Sequence, residues 1–204
     1  PKTQLIPQEG EFVTEHEHIR PVRMLKTPKG ETLIDFGQNI TGYVSFDICA
    51  KKGDRLCYSH AEILDGDGNF YTENLRSAKQ RIVYICKEGR QSYKPHHTFM
   101  GFRYIRLDEF PPDISVDNFE AIAVYSDMKR TGHFKCSNEK VNKLYSNIIW
   151  SQKDNFLGVP TDCPQRDERL GWMGDAQVFS WTAAFNRETA LFFTKWMRDI
   201  SAAS

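Results

Sequence analysis

The chain has 204 residues, and its 27 basic and 27 acidic side chains cancel to a formal charge of zero. That balance argues against nucleic acid or an anionic membrane surface as a partner, and no apolar run approaches the ~20 residues that a membrane span needs. Five scattered cysteines without CxxC spacing point away from zinc and from a disulfide framework, and are expected to be reduced and mostly buried.

Residues 1–26 carry scattered charges with little periodicity, as in a linker or the tail of a preceding domain. The start, Pro1-Lys2-Thr3-Gln4, has no signal-peptide pattern and no initiator Met, so the chain is expected to be a piece of something longer. Glu15-His16-Glu17-His18 alternates like an edge strand and lacks the further ligands a metal site needs. From residue 31 the chain reads as β-structure: 43–48 alternates, Lys51-Lys52-Gly53-Asp54 turns, and 55–63 repeats the pattern. Further strands are predicted at 80–86, 91–94, 98–110 and 119–125, spaced as in an all-β sandwich. Asp65-Gly66-Asp67-Gly68-Asn69 is a loop rather than a calcium site, because Phe70 and Arg76 stand where an EF-hand needs Gly and Glu. His96-His97 has no carboxylate or thiol at ligand spacing and reads as a loop feature. Phe36, Phe46, Tyr58, Tyr84, Phe99, Phe102 and Tyr104 are read as strand core rather than as a sugar-stacking surface.

Past a linker at 126–137 the period changes. Ser137 and Asn138 are N-cap residues, and Val141, Leu144, Tyr145, Ile148 and Ile149 share one helical face. Two more helices are predicted at 175–185 and 188–200, with Asn186 as a cap between them.

Between the first and second helix lies the run Thr161-Asp162-Cys163-Pro164-Gln165-Arg166-Asp167-Glu168-Arg169-Leu170-Gly171-Trp172-Met173-Gly174-Asp175. Pro160 and Pro164 remove backbone donors, and Gly171 and Gly174 weaken any helix, so an irregular loop is predicted. A solvated charged loop fits poorly, because Trp172 and Met173 are costly to leave in water. Carboxylates around a tryptophan suit a carbohydrate site, where the ring stacks on a sugar and the acids bind hydroxyls or move protons.

The stretch from Asp162 to Asp175 closely resembles the catalytic-loop motif of bacterial α-L-rhamnosidases, an inverting family with an (α/α)6 barrel. Asp35-Phe36-Gly37-Gln38-Asn39 with Gly42, Phe99-Met100-Gly101-Phe102-Arg103-Tyr104, and Thr131-Gly132-His133-Phe134-Lys135-Cys136-Ser137-Asn138 resemble its β-sandwich strands and the approach to its barrel. The resemblance implies a multi-domain β-then-α fold. A concanavalin-like or jelly-roll β-sandwich over 27–125 is followed, at 138–204, by the first helices of an incomplete (α/α)6 barrel. It implies Glu168 as general acid, with Asp162, Arg166, Trp172 and Asp175 holding the rhamnose of a glycoside or polysaccharide. A second carboxylate ~6 Å from Glu168 would add roughly 3 kcal/mol against its ionised form at an effective dielectric near 20, and Arg166 and Arg169 oppose this if they point inward. No metal or cofactor is implied. Cytoplasm, periplasm and secretion all remain open as compartments.

No segment resembles the part of the family that carries the general base, so that group is expected in the remainder of the parent polypeptide. The 204 residues alone are then not expected to hydrolyse rhamnosides. Three helices cannot close a barrel, which would leave Trp150, Trp181, Phe192, Phe193, Trp196 and Met197 short of partners. Two readings compete: an (α/α)6 glycosidase for another terminal sugar, and a non-catalytic carbohydrate-binding β-sandwich. Rhamnoside against glucoside and glucuronide assays separate the first; sugar binding by residues 31–125 alone marks the second.

Overall fold

Alternating apolar residues build strands from residue 13 to residue 126 in the computed structural model, which describes residues 7–203. The strands are β1 (Val13–Ile19), β2 (Arg23–Lys26), β3 (Thr32–Ala50), β4 (Arg55–Ala61), β5 (Arg81–Ile85), β6 (Gly89–Tyr93), β7 (Met100–Glu109) and β8 (Phe119–Ser126). They form one antiparallel sheet in the order β1-β8-β3-β7-β4-β5, with β2 and β6 also paired to β3.

The 19-residue β3 organises this sheet by exchanging partners along its length. Thr32–Asp35 lies between β2 and β7, Gly42–Phe46 runs along β8, and Phe46–Ala50 pairs with β6. The exchange follows an irregularity between Asp35 and Ile40. There Gly37 has φ +76°, and a Cβ on it would lie 2.7 Å from Val22 Cγ2, so only glycine fits. The sheet therefore curls on itself and closes over Phe36, Val44, Phe46, Leu56, Tyr58, Phe102, Ile105 and Phe119, none more than 3% exposed. The Tyr58 hydroxyl donates to Val44 O across this core, while Phe46 meets Tyr58 and Tyr84 edge-on. The aromatics read as strand core are mostly that; Phe99 is half-buried beneath Arg169 instead.

The first 26 residues differ from expectation. Residues 13–26 are not a linker: β1 pairs with β8 from Val13↔Ser126 to Ile19↔Ala121, and β2 pairs with β3. The partners of β1 lie more than a hundred residues downstream, which no local pattern reveals, although the edge-strand alternation of residues 15–18 is present in it. Pro1-Lys2-Thr3-Gln4 lies outside the described residues.

Two of the recognisable motifs meet in an ion pair. Asp35, 1% exposed, accepts from Arg103 Nε at 2.8 Å and Nη2 at 3.0 Å, and Gly37 N also donates to it. Burial pushes the Asp35 carboxyl up, but Arg103 and the Gly37 amide outweigh it and hold the group below the ordinary carboxylate value.

Three helices follow: α1 (Glu139–Asn155), α2 (Met173–Asn186) and α3 (Ala190–Ala203). Asn138 caps α1 through Lys140 N and Val141 N. The end of α1 is fastened to the sheet, because Thr41 N donates to Asp154 Oδ1 at 2.9 Å and Thr41 Oγ1 donates to Asp154 O at 2.7 Å. Burial, reinforced by the charges of Glu62 and Glu17, pushes the Asp154 carboxyl well above its ordinary value against the pull of the Thr41 amide and Lys153. Asn186 does not cap by its side chain: fully buried, it donates to Gln152 Oε1, while Gln152 donates to Ala183 O. A small apolar core gathers Met128, Phe156, Ala183 and Phe192, with the Phe156 and Phe192 rings stacked at 4.6 Å. Of the side chains expected to lack partners, Phe192 is buried and Trp150, Phe193 and Trp196 are half-buried, whereas Trp181 and Met197 are 87% and 58% exposed.

Candidate active site

The loop between α1 and α2 is irregular, as Pro160, Pro164 and the glycines predict, and is pinned by isolated bridges between Phe156 and Pro160 and between Thr161 and Gly171. It lies directly on the β-sheet. A Cβ on Gly101 of β7 would lie 2.8–2.9 Å from Pro164 Cγ and from Gln165 Cβ and N, so the loop backbone packs where a side chain is missing. Gln80 fixes that stretch of strand, accepting from Gly101 N and donating to Gly101 O. At the other end of the loop Gly171 makes room for the Trp196 ring, which would lie 2.4 Å from a Cβ there.

Arg166 points inward and is the hub of the loop. Its Nη2 donates to Asp162 Oδ2 at 3.2 Å and its Nε to Glu168 Oε2 at 2.9 Å. Arg169 turns away instead: it donates to Phe99 O at 3.0 Å and lies over the Phe99 ring. The Asp162 side chain is 9% exposed. Burial pushes its carboxyl up, yet hydrogen bonds from Cys163, the backbone and Arg166 bring it below the usual range. Burial and the neighbouring Asp162 push the Cys163 thiol up, so it serves as a hydrogen-bond donor to Asp162 rather than as a nucleophile. Asp162, Cys163 and Glu168 each offer a ligand atom, all within 4.8 Å of one another. The Arg166 guanidinium already bonds both carboxylates and the thiol keeps its proton, so the group reads as an ion-pair cluster rather than a metal centre.

Asp162 and Asp175 line one cavity of about 370 Å³ together with Ser151, Gln152, Thr161 and Phe179. Asp175 lies in the first turn of α2, and Trp172, 42% exposed, stands at its N-cap. Glu168 and Trp172 are not among the residues lining that cavity. Of the five residues singled out in the sequence, then, Arg166 joins Asp162 to Glu168, and a shared cavity joins Asp162 to Asp175. Trp172 stands beside them.

Several residues of this region come from the connection between β4 and β5, where sequence reasoning did not look. Arg76 Nη1 donates to Glu168 Oε2 at 2.8 Å, and Ser77 donates to Asp167. Glu62, just past β4, accepts from Asn39 Nδ2 at 3.0 Å and Asn74 Nδ2 at 3.3 Å. Burial raises the Glu62 carboxyl above its ordinary value, against the Asn39 hydrogen bond and the nearby Arg166 charge. Contacts spanning 92 residues, such as that from Arg76 to Glu168, leave no periodic trace in a sequence.

Comparison with known proteins finds relatives for both parts of the chain. Residues 25–125 match the bacterial alpha-L-rhamnosidase concanavalin-like domain, and residues 129–204 match the bacterial alpha-L-rhamnosidase 6 hairpin glycosidase domain. An alpha-L-rhamnosidase of Streptomyces avermitilis is 43% identical over 185 residues, covering 90% of this chain and 18% of that protein. The crystal structure of the Streptomyces avermitilis enzyme complexed with L-rhamnose superposes with a TM-score of 0.93 at 38% identity, over 98% of this chain and 19% of the other. Native rhamnosidase from Aspergillus terreus gives a TM-score of 0.90 at 40% identity, over 93% and 22%. The chain thus spans about a fifth of the length of these relatives. Its curled β-sheet followed by three helices, together with these matches across both parts, shows that the chain belongs to the bacterial α-L-rhamnosidase family.

Proposed function

We propose that this chain is the acid-bearing part of an inverting α-L-rhamnosidase, which removes terminal α-L-rhamnose from a glycoside or polysaccharide. The observation that carries the reading is the Asp162–Arg166–Glu168 linkage beside a cavity shared by Asp162 and Asp175. Glu168 gives its proton to the glycosidic oxygen as the C1–O bond breaks and its electron pair passes to that oxygen. A water attacks C1 from the opposite face and yields its proton to a base, ~6.5–9.5 Å from the acid in an inverting enzyme. That base comes from the parent protein outside this chain. Asp162 and Asp175, as acceptors, orient the rhamnose hydroxyls; Arg166 fixes the two carboxylates relative to each other; Trp172 packs on the ring. The exposed apolar residues of α2 and α3 suit further helices of a six-hairpin domain.

In the full-length enzyme Glu168→Gln should lower turnover by about 10²–10⁴ on rhamnosides with a poor leaving group. The loss should be much smaller on aryl rhamnosides whose leaving group needs little protonation. An equal loss on both would remove Glu168 from the acid role. Sugar release from glucosides but not rhamnosides would redirect the specificity.

A further inference from the structure

Both guanidiniums that reach Glu168 bind the same oxygen, Oε2: Arg76 Nη1 at 2.8 Å and Arg166 Nε at 2.9 Å. Among the described residues, Oε1 is engaged by neither. A carboxylic acid that delivers a proton needs one oxygen to carry it and the other to be held as an acceptor; arginines can only donate. Two donors on Oε2 therefore assign the transferable proton to Oε1 and fix the plane of the carboxyl group.

Arg166 belongs to the loop itself, but Arg76 comes from the β-domain. It follows a 3₁₀ turn over Glu73–Leu75 and has φ +55° and ψ −119°, a backbone conformation disfavoured for any residue with a Cβ. The turn is held in place by buried Leu75 and by Asn74, which donates to Glu62, while Ser77 reaches the neighbouring Asp167. The Arg76 side chain is 55% exposed, and an ion pair so exposed adds little to stability. A disfavoured backbone maintained for a pair of little structural value points to a function for the pair.

We propose that Arg76 is a positioning residue of the β-domain that, together with Arg166, holds Oε2 of the general acid so that Oε1 presents the proton to the leaving group. This rests on the assignment of Glu168 above. As the proton departs, negative charge develops on a carboxylate that already faces two guanidiniums, so the contact strengthens in the transition state.

The test is made in the full-length enzyme with two rhamnosides, one with a poor alkyl leaving group and one with a good aryl leaving group. Arg76→Met should lower kcat on the order of tenfold on the first and within about twofold on the second, with KM little changed. Arg76→Lys should restore part of the loss. Arg76→Gly relieves the backbone, so it should show the same substrate-selective loss without a fall in Tm. A loss equal on both substrates, a loss that follows Tm, or no loss at all would overturn the proposal. Glu168→Gln run in parallel separates the two levels. If it is selective and the Arg76 variants are not, Arg76 alone loses its role; if Glu168→Gln is itself unselective, the acid assignment falls.

Discussion

The β-sheet and the helices differ in how completely each covers its own apolar surface. Tyr58, Phe36, Phe102 and Phe119 are almost fully enclosed within the curled sheet. The helices enclose Phe192 but leave Val178 85%, Trp181 87% and Phe185 55% exposed. Each large side chain left in water forgoes roughly 1.5–3 kcal/mol of burial. The sheet thus encloses a large core of its own, although Val83 and Ile85 on its edge strand are exposed, and the helices are a partial layer clamped to it through Thr41, Asp154 and the loop over Gly101.

The contrast can be broken most sharply at Arg103. Arg103→Met leaves the buried Asp35 carboxylate with only the Gly37 amide and a longer contact to Arg23, and should cost roughly 3 kcal/mol in denaturant unfolding, weakening the support itself. The sign of its pH dependence follows from Asp35, whose folded value is depressed. Its stabilisation is present above the unfolded value near 3.9 and fades as pH falls through the folded one. Without Arg103 the depression of Asp35, and with it this acid-side loss of stability, should disappear, so the stability gap between the parent and Arg103→Met should narrow as pH falls.

Asp154 should act oppositely. Its folded value is raised, so the native state holds a proton that the unfolded state gives up, and the stability it contributes is lost as pH rises above the unfolded value. Asp154→Asn keeps an acceptor for Thr41 N and removes the titration. Tm measured from pH 4 to pH 8 should be higher at the upper end than for the parent and vary less with pH; a lower Tm at pH 8 would show that the carboxylate is needed as a charge. The smallest effect is expected at Trp181. Trp181→Ser in the 204-residue chain should leave stability within about 0.5 kcal/mol while reducing self-association in light scattering. A large loss of stability would mean that Trp181 is already packed.

What the sequence revealed divides along the same line. Strand alternation, the Asn138 cap and the prolines of the loop are local signals, and each led to the right element. Asp162 and Glu168 were recognisable by their motif; the bond between them through Arg166 was not, because spacing does not tell which way a guanidinium points. The pairing of β1 with β8 and the reach of Arg76 to Glu168 depend on chain crossings of about a hundred residues. Asn186 looked like a cap because it stands between helices, yet its amide serves the buried Gln152.

The bare backbone of Gly101 beneath Pro164 and Gln165 has a consequence for how such enzymes change over time. Any substituent at that position would lift the loop that carries Asp162 and Glu168 off its support, so strand and loop are constrained to vary as a matched pair. The two parts are therefore poor modules for recombination: a chimaera that joins the sheet of one relative to the helices of another inherits a foreign seat for the loop between α1 and α2, even when every residue of that loop is preserved.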